Sequence, residues 1–304
     1  MRLVIIGGGG QLGSDLAEVL RDTNEDVVSL SRRELDITEG CSLRENLSRY
    51  DPDVIINCSV YHPVDECENN PERSFAVNAT AVRDLALAAK DLQAAVVHFS
   101  SDYVFDGELG RPYQEGDAPT PVSVFGVSKV AGEQLLRAVL PRHFIIRTSG
   151  LYGIAGSRVK RGNFVETMLR LGRQNGRVQV VDDLRMAQTS TRNLARQVLA
   201  LIRTKHYGTY HASDHGDYSW HEFAKKIFAY SAMEVTVTRI SWRDMPFVAP
   251  RPRYSVLENR RLKALGMDQM QSIDVALRAY LKSKDGVLAP ESGSINKAVD
   301  SRAL

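Results

Sequence analysis

Short runs of β-branched and aliphatic residues alternate along this chain with longer stretches in which apolar residues return every three or four positions. The first run, residues 2–6, meets four glycines and then Leu12, Leu16, Val19 and Leu20 at helical spacing. That order predicts a buried strand, a tight turn and a helix. Further strands are predicted at 27–31, 53–58, 94–99 and 144–147. A helix is predicted over 75–90, with Phe75, Val82, Leu85, Ala86 and Ala89 as its core stripe. Another opens near residue 124. Stepped at about 100° per residue, Val127, Ala131, Leu135 and Ala138 form its core stripe, while Phe125 and Lys129 project together from the opposite face. Strand and helix alternating in this way predict an α/β fold, a Rossmann-type doubly wound parallel sheet.

The second half is patterned differently. Residues 150–162, rich in glycine and basic side chains, predict a mobile loop. A helix follows at 164–171, then a short strand at 178–181, a segment at 207–212 returning to the main sheet, and a strand at 235–240. Ser219 and Glu222 have the spacing of a capping box and open a helix. These elements predict a smaller carboxyl-terminal α/β substrate domain. The expected division is 1–150 with a return segment near 182–215 for one domain, and 151–181 with 216–284 for the other. Residues 285–304 lose periodicity and read as a flexible tail.

Composition narrows the class. The 304 residues are 43% hydrophobic and 25% charged, with a net charge of +2, which predicts neither a nucleic-acid nor a membrane partner. Three cysteines, Cys41, Cys58 and Cys67, argue against a disulfide framework and for a cytoplasmic setting. His211, His215 and His221 have no metal-ligand spacing and read as surface histidines.

Candidate chemistry gathers at the predicted carboxyl ends of the strands, where open α/β sheets bind ligands. Gly7, Gly10 and Gly13, with Gln11 and Leu12 between them, form a G-x-x-G-x-x-G turn at a helix start. Such a turn lets a pyrophosphate approach the backbone; a plain tight turn is the other reading. The second strand ends in Ser31 and Arg32, where a carboxylate for a ribose 2′-hydroxyl would otherwise stand. A guanidinium there suits a 2′-phosphate, so NADPH is favoured, with NADH as the alternative. Asp36 and Ile37 border the adenine in this reading, and Cys58, Ser59, Val60 and Tyr61 run out at the same edge. Asn78 suits a structural hydrogen bond as well as a cofactor contact. The fourth strand delivers Ser100, Ser101 and Asp102. A proline-rich segment carrying Arg251 suits either a diphosphate or a surface turn.

These residues resemble the extended short-chain dehydrogenase/reductases, and more narrowly the dTDP-4-dehydrorhamnose reductase family. The resemblance rests on an ordered set: Gly-Gly-Gln-Leu-Gly (9–13), Leu-Asp-Ile-Thr (35–38), Pro-Asp-Val-Ile-Ile-Asn-Cys (52–58), Val-Asn-Ala-Thr (77–80), Ser-Asp-Tyr-Val-Phe-Asp-Gly (101–107), Gly-x-Ser-Lys-x-x-Gly-Glu (126–133), Arg-Thr-Ser (147–149) and Ser-Trp-x-Glu-Phe-Ala (219–224). It runs from residue 1 to about 284.

The resemblance implies reduction of the 4-keto group of a nucleotide-linked 4-keto-6-deoxyhexose, in dTDP-rhamnose biosynthesis. The family's Ser/Thr, Tyr and Lys fall on Ser101, Phe125 and Lys129. The lysine also holds the nicotinamide ribose. Substrate contacts are implied for Ser101, Asp102, Tyr103, Asn163, Phe164, Arg185 and Arg251. Phe125 keeps the ring of the expected tyrosine and lacks its acid, a loss typically worth ~10²–10⁴ in rate. Tyr103 or Tyr61 could replace that acid. The same substitution admits a second reading, a catalytically impaired, dinucleotide-binding regulatory subunit or pseudoenzyme. A homodimer is compatible with the resemblance, and Mg²⁺, which joins subunits in some relatives, is left open.

Overall fold

The computed structural model describes residues 1–156 and 162–287. At its centre lies a six-stranded, all-parallel sheet. Its strands are β1 (Arg2–Ile6), β2 (Asp26–Leu30), β3 (Val54–Asn57), β4 (Ala95–Ser101), β5 (His143–Thr148) and the returning strand Gly208–His211. Their order is Gly208–His211, β5, β4, β3, β1, β2. The strand order reverses between β1 and β3, and this opens a crevice at the carboxyl ends of the strands. Apolar side chains of β1, β3, β4 and β5 fill both faces, as expected where helices cover both sides of a parallel sheet. One core lies against α1 (Gln11–Arg21) and helix Thr191–Ile202, the other against helix Ala81–Asp91. A third core joins helices Phe164–Asn175, Trp220–Tyr230 and Ile273–Val287 with the paired strands Arg177–Val181 and Thr236–Ile240. Both Ser219 and Asn163 cap their helices with complete capping boxes.

Several expectations need correction. The predicted 75–90 helix is three pieces, Pro71–Phe75, a π-turn Ala76–Thr80 and Ala81–Asp91. Phe75 is exposed, while Val82, Leu85, Ala86 and Ala89 are core. Helix Val124–Val139 is turned around relative to its apolar pattern. Val127 is 41% exposed, Ala138 is exposed, and the buried face carries Phe125, Ser128, Lys129 and Glu133. The cause is backbone proximity. A Cβ on Gly126 would sit 2.2 Å from the Tyr103 carbonyl oxygen, and one on Gly132 would sit 2.1 Å from that of Asn78. Two glycines therefore choose the buried face, and paired polar side chains fill it.

His211 and His221 are buried as well; His215 remains exposed. His211 Nδ1 lies 3.0 Å from the Tyr113 carbonyl oxygen, and burial pulls its pKa to about 3. Helix Ile273–Val287 continues into the expected tail, whose residues 288–304 lie outside the described residues, as do 157–161 of the expected loop. No helix among the described residues is long and apolar enough to cross a membrane.

Candidate active site

A cavity of about 590 Å³ occupies the crevice at the carboxyl ends of the strands. The glycine turn forms one end. Gly7 has φ +77°, a conformation that suits glycine. A Cβ on Gly13 would stand 2.6 Å from the Gly7 carbonyl oxygen and 2.7 Å from the Gly8 Cα, so α1 packs directly on the turn. Gly10 is the N-cap of α1, and no side chain caps that terminus. Its first-turn amides and helix dipole face the cavity, the arrangement that holds a phosphate. The turn thus fits a dinucleotide pyrophosphate.

Gln11, Leu12, Ser31, Arg32, Asp36 and Ile37 continue the wall from this end. Asp36 accepts a hydrogen bond from Arg32 Nε at 2.8 Å. Cys58, Ser59, Val60 and Tyr61 follow, beyond the end of β3. Burial pushes the Cys58 thiol pKa far up, which disfavours its thiolate. Asn78 is not on the wall. Its side chain donates to the Tyr61 carbonyl oxygen and accepts from the Tyr61 amide, both at 2.9 Å, and donates to Ser128 Oγ at 3.0 Å. It holds the wall from behind, the structural one of the two roles considered for it.

At the other end stand Ser100, Ser101, Asp102, Tyr103, Phe125 and Lys129. Lys129 is 1% exposed; its Nζ donates to the Phe99 carbonyl oxygen at 2.6 Å and lies 3.3 Å from His98 Nε2. Burial lowers its pKa to about 8, against the opposing pull of Glu133. Burial and the Lys129 charge together hold His98 well below its ordinary pKa, so the imidazole is neutral. Glu133, on the same helix, is held by Arg147 through Nε at 2.9 Å and Nη2 at 2.8 Å.

Ser101 Oγ accepts the Tyr103 amide at 3.1 Å and donates to Asp102 Oδ1 at 2.9 Å. The other Asp102 oxygen accepts from Ser149 Oγ at 2.9 Å and Ser255 Oγ at 2.6 Å. Desolvation raises the Asp102 pKa, and the three hydroxyls oppose that rise. Neither of the two tyrosines proposed as substitutes for the missing phenol is free. Tyr61 donates its hydroxyl to Glu66 at 3.1 Å. Tyr103 lies beside Arg251, and burial pushes its phenol up to about 12.

Among the residues expected to touch substrate, Asn163 and Phe164 line the cavity with Ser101, Asp102 and Tyr103. Asn163 Nδ2 also donates to the Gly153 carbonyl oxygen at 3.0 Å. Arg185 and Arg251 do not line it. Arg185 Nε binds Asp217 at 2.7 Å and Nη2 lies 3.1 Å from Glu222. Arg251 makes a two-point pair with Asp65, at 3.1 and 2.7 Å, and covers the Phe247 ring. Both guanidiniums are held by neighbouring carboxylates, so each supports the wall and does not form it.

Sequence reasoning missed Ser149, Ser255 and His98. Ser149 and His98 could have been found, since each lies on or just past a strand flanking the crevice; Ser255 ends the proline-rich segment of Arg251, where attention went to the arginine. It also missed Met186, Trp220 and Phe223, which line the cavity, the last two from the third core. No group of three or more His, Cys, Asp or Glu among the described residues could hold a metal ion.

The family model described as the RmlD substrate binding domain matches residues 1–285. A dTDP-4-dehydrorhamnose reductase of Streptomyces griseus is 36% identical over 283 residues, covering 91% of each chain. A spore coat polysaccharide biosynthesis protein of Bacillus subtilis is 35% identical over 93% of this chain and 98% of its own. Among solved structures, a dTDP-4-dehydrorhamnose reductase from Bacillus anthracis in complex with NADP superimposes with a TM-score of 0.89 at 37% identity, over 93% of this chain and 99% of that one.

Proposed function

The chain belongs to the family of the RmlD substrate binding domain, and on that premise we propose that it uses NADPH to reduce the 4-keto group of a nucleotide-linked 4-keto-6-deoxyhexose. One observation supports this above the others: Ser101 and Lys129, from different elements, line the same cavity as the glycine turn. In this reading the turn and the α1 N-terminus take the pyrophosphate, and Arg32 takes the 2′-phosphate. Bound there, the reduced nicotinamide supplies a hydride.

The chain's own groups do the rest. Lys129 holds the cofactor ribose, and Ser101 donates a hydrogen bond to the sugar carbonyl oxygen, where negative charge develops. Met186, Trp220 and Phe223 exclude water from the sugar. Residues 1–150 with 182–215 form the cofactor half, and 151–181 with 216–284 form the substrate half.

Phe125 favours a second reading, a dinucleotide-binding regulatory subunit without the reaction. Following NADPH oxidation with dTDP-4-dehydrorhamnose separates the two. Turnover by the natural chain or by Phe125→Tyr supports the reductase; tight NADPH binding with no turnover by either supports the regulatory role.

A further inference from the structure

We propose that His98 is a positioning residue for Lys129: Asn57 holds the imidazole with its proton on Nε2, and that N–H meets the lysine nitrogen as a donor and favours the neutral amine. The inference rests on Lys129 holding the cofactor, a part common to both readings above, and not on turnover.

Strand register places Asn57, the last residue of β3, beside His98 of β4. Both are buried, as is Lys129. The orientation of the Asn57 amide is fixed from the cavity side. Its Oδ1 accepts the Ser59 amide at 3.0 Å, and Ser59 lines the cavity. Its Nδ2 therefore faces His98 Nδ1, at 3.4 Å. A neutral imidazole has one donor and one acceptor nitrogen, and the partner of one fixes the role of the other. Opposite an amide donor, Nδ1 accepts and the ring proton sits on Nε2. That nitrogen lies 3.3 Å from Lys129 Nζ.

Lys129 Nζ already donates to the Phe99 carbonyl oxygen. As a neutral amine it has a lone pair for the Nε2 proton, and every bond in the row is made. A second N–H is then left for the cavity. As an ammonium it carries donors only, so a donor meets a donor. Moving the ring proton to Nδ1 removes that conflict and makes another, against Asn57 Nδ2. Turning the Asn57 amide then sets Nδ2 against the Ser59 amide. Protonating Lys129 thus breaks one buried hydrogen bond whichever group yields, and a buried donor without an acceptor is costly. Burial of the lysine acts in the same direction.

The surrounding charges are fixed. Glu133, one turn along the same helix, favours the ammonium, and Arg147 of β5 and Arg137 are paired to it. Cys58 and Tyr61 beyond β3, and Asp102 and Tyr103 after β4, share the cavity wall with Lys129. Glu68, from helix Val64–Asn69, is bound to the Val124 amide, and Arg73, from helix Pro71–Phe75, lies over the Tyr61 ring. Within this field the Asn57–His98 row can be reversed by exchanging one side-chain nitrogen for oxygen.

Asn57→Asp makes that exchange. One carboxylate oxygen still accepts the Ser59 amide, the other accepts an Nδ1 proton, and Nε2 becomes an acceptor for the ammonium. Nitrogen NMR of labelled histidines, above the pH of the Lys129 titration, should find His98 protonated at Nε2 in the natural chain and at Nδ1 in Asn57→Asp. Loss of the signals in His98→Phe, or magnetisation transfer to the Lys129 side chain, assigns them. The Lys129 titration is followed by its ε-carbon shift in the free protein and by the pH profile of NADPH affinity. It should rise by at least about one pH unit in Asn57→Asp. A carboxylate acting only as a nearby charge would raise it equally when His98→Phe is also present, whereas the row requires that the double variant lose most of the rise. Natural His98 protonated at Nδ1, an unmoved Lys129 titration in Asn57→Asp, or an undiminished rise in the double variant overturns the inference. A natural chain that binds no NADPH overturns the cofactor reading instead, and the spectra of the free protein still decide the part of His98.

Discussion

The ring of Phe125 meets the ring of Tyr103 edge to face, with centroids 5.8 Å apart and planes at 76°. The contact fixes the ring on the cavity wall, one helical turn from Lys129. Phe125 lines the cavity, so a hydroxyl added to its ring is expected at the cavity wall. Phe125→Tyr should therefore fold normally and raise NADPH-dependent reduction of the keto sugar at least about tenfold. Steady-state kinetics with thermal melting checks both halves of this expectation.

Lys129 gives two pH dependences of opposite sign. Its folded pKa is about 8, below the ordinary 10.5. Between those values the unfolded chain binds more protons, so stability rises with pH across that window. Affinity for NADPH should instead fall as pH rises through about 8, as the ammonium is lost. Lys129→Met should flatten both profiles, read by melting temperature and by cofactor fluorescence titration.

Gly13→Ala forces a methyl into backbone atoms of the turn, which cannot give way as a flexible side chain would. Stability should drop by about 1–3 kcal/mol, and NADPH affinity should weaken at least about tenfold as α1 tilts from its phosphate site. Denaturant unfolding and calorimetric titration measure the two.

Glu133 and Arg147 are both buried, at 0% and 2% side-chain exposure. Glu133→Ala leaves a guanidinium uncompensated in the core and should cost about 3–5 kcal/mol. It also removes the charge that supports Lys129, so the Lys129 titration should move below its natural position. Denaturant unfolding checks the first effect, and the pH profile of NADPH affinity checks the second.

Arg32 is solvent-facing and is tied through Nε to Asp36. Arg32→Ala should raise the KM for NADPH about tenfold and change that for NADH far less, if the guanidinium reads the 2′-phosphate. Parallel kinetics with the two cofactors decides this.

Much of the site was legible because its residues lie where a strand or glycine turn ends. Gly7, Ser59 and Ser101 each follow an apolar run, and a parallel sheet collects such ends along one edge. Arg185 and Arg251 stand off the cavity wall for a reason the sequence does not carry, since a guanidinium's residue type says nothing about which carboxylate reaches it first; Asp217, Glu222 and Asp65 come from distant parts of the chain. Asn78 was open to either reading, and only the π-turn carrying it aims its amide at Tyr61. His211 and His221, unlike His215, were misjudged for the same reason; burial of His211 depends on Phe105 and Tyr113 about 100 residues earlier.

By itself the amino-acid order determined the alternation of strand and helix, the glycine turn, and the substitution of Phe125 one turn before Lys129. These are local patterns, written in spacing and side-chain type. Only the tertiary structure decided which face of helix Val124–Val139 is buried, because Gly126 and Gly132 select it by their approach to the backbone of Tyr103 and Asn78. It alone also brought Ser149 and Ser255 onto Asp102. Hydrogen bonds between groups 47 and 153 residues apart arise from packing, and no periodicity along the chain encodes them.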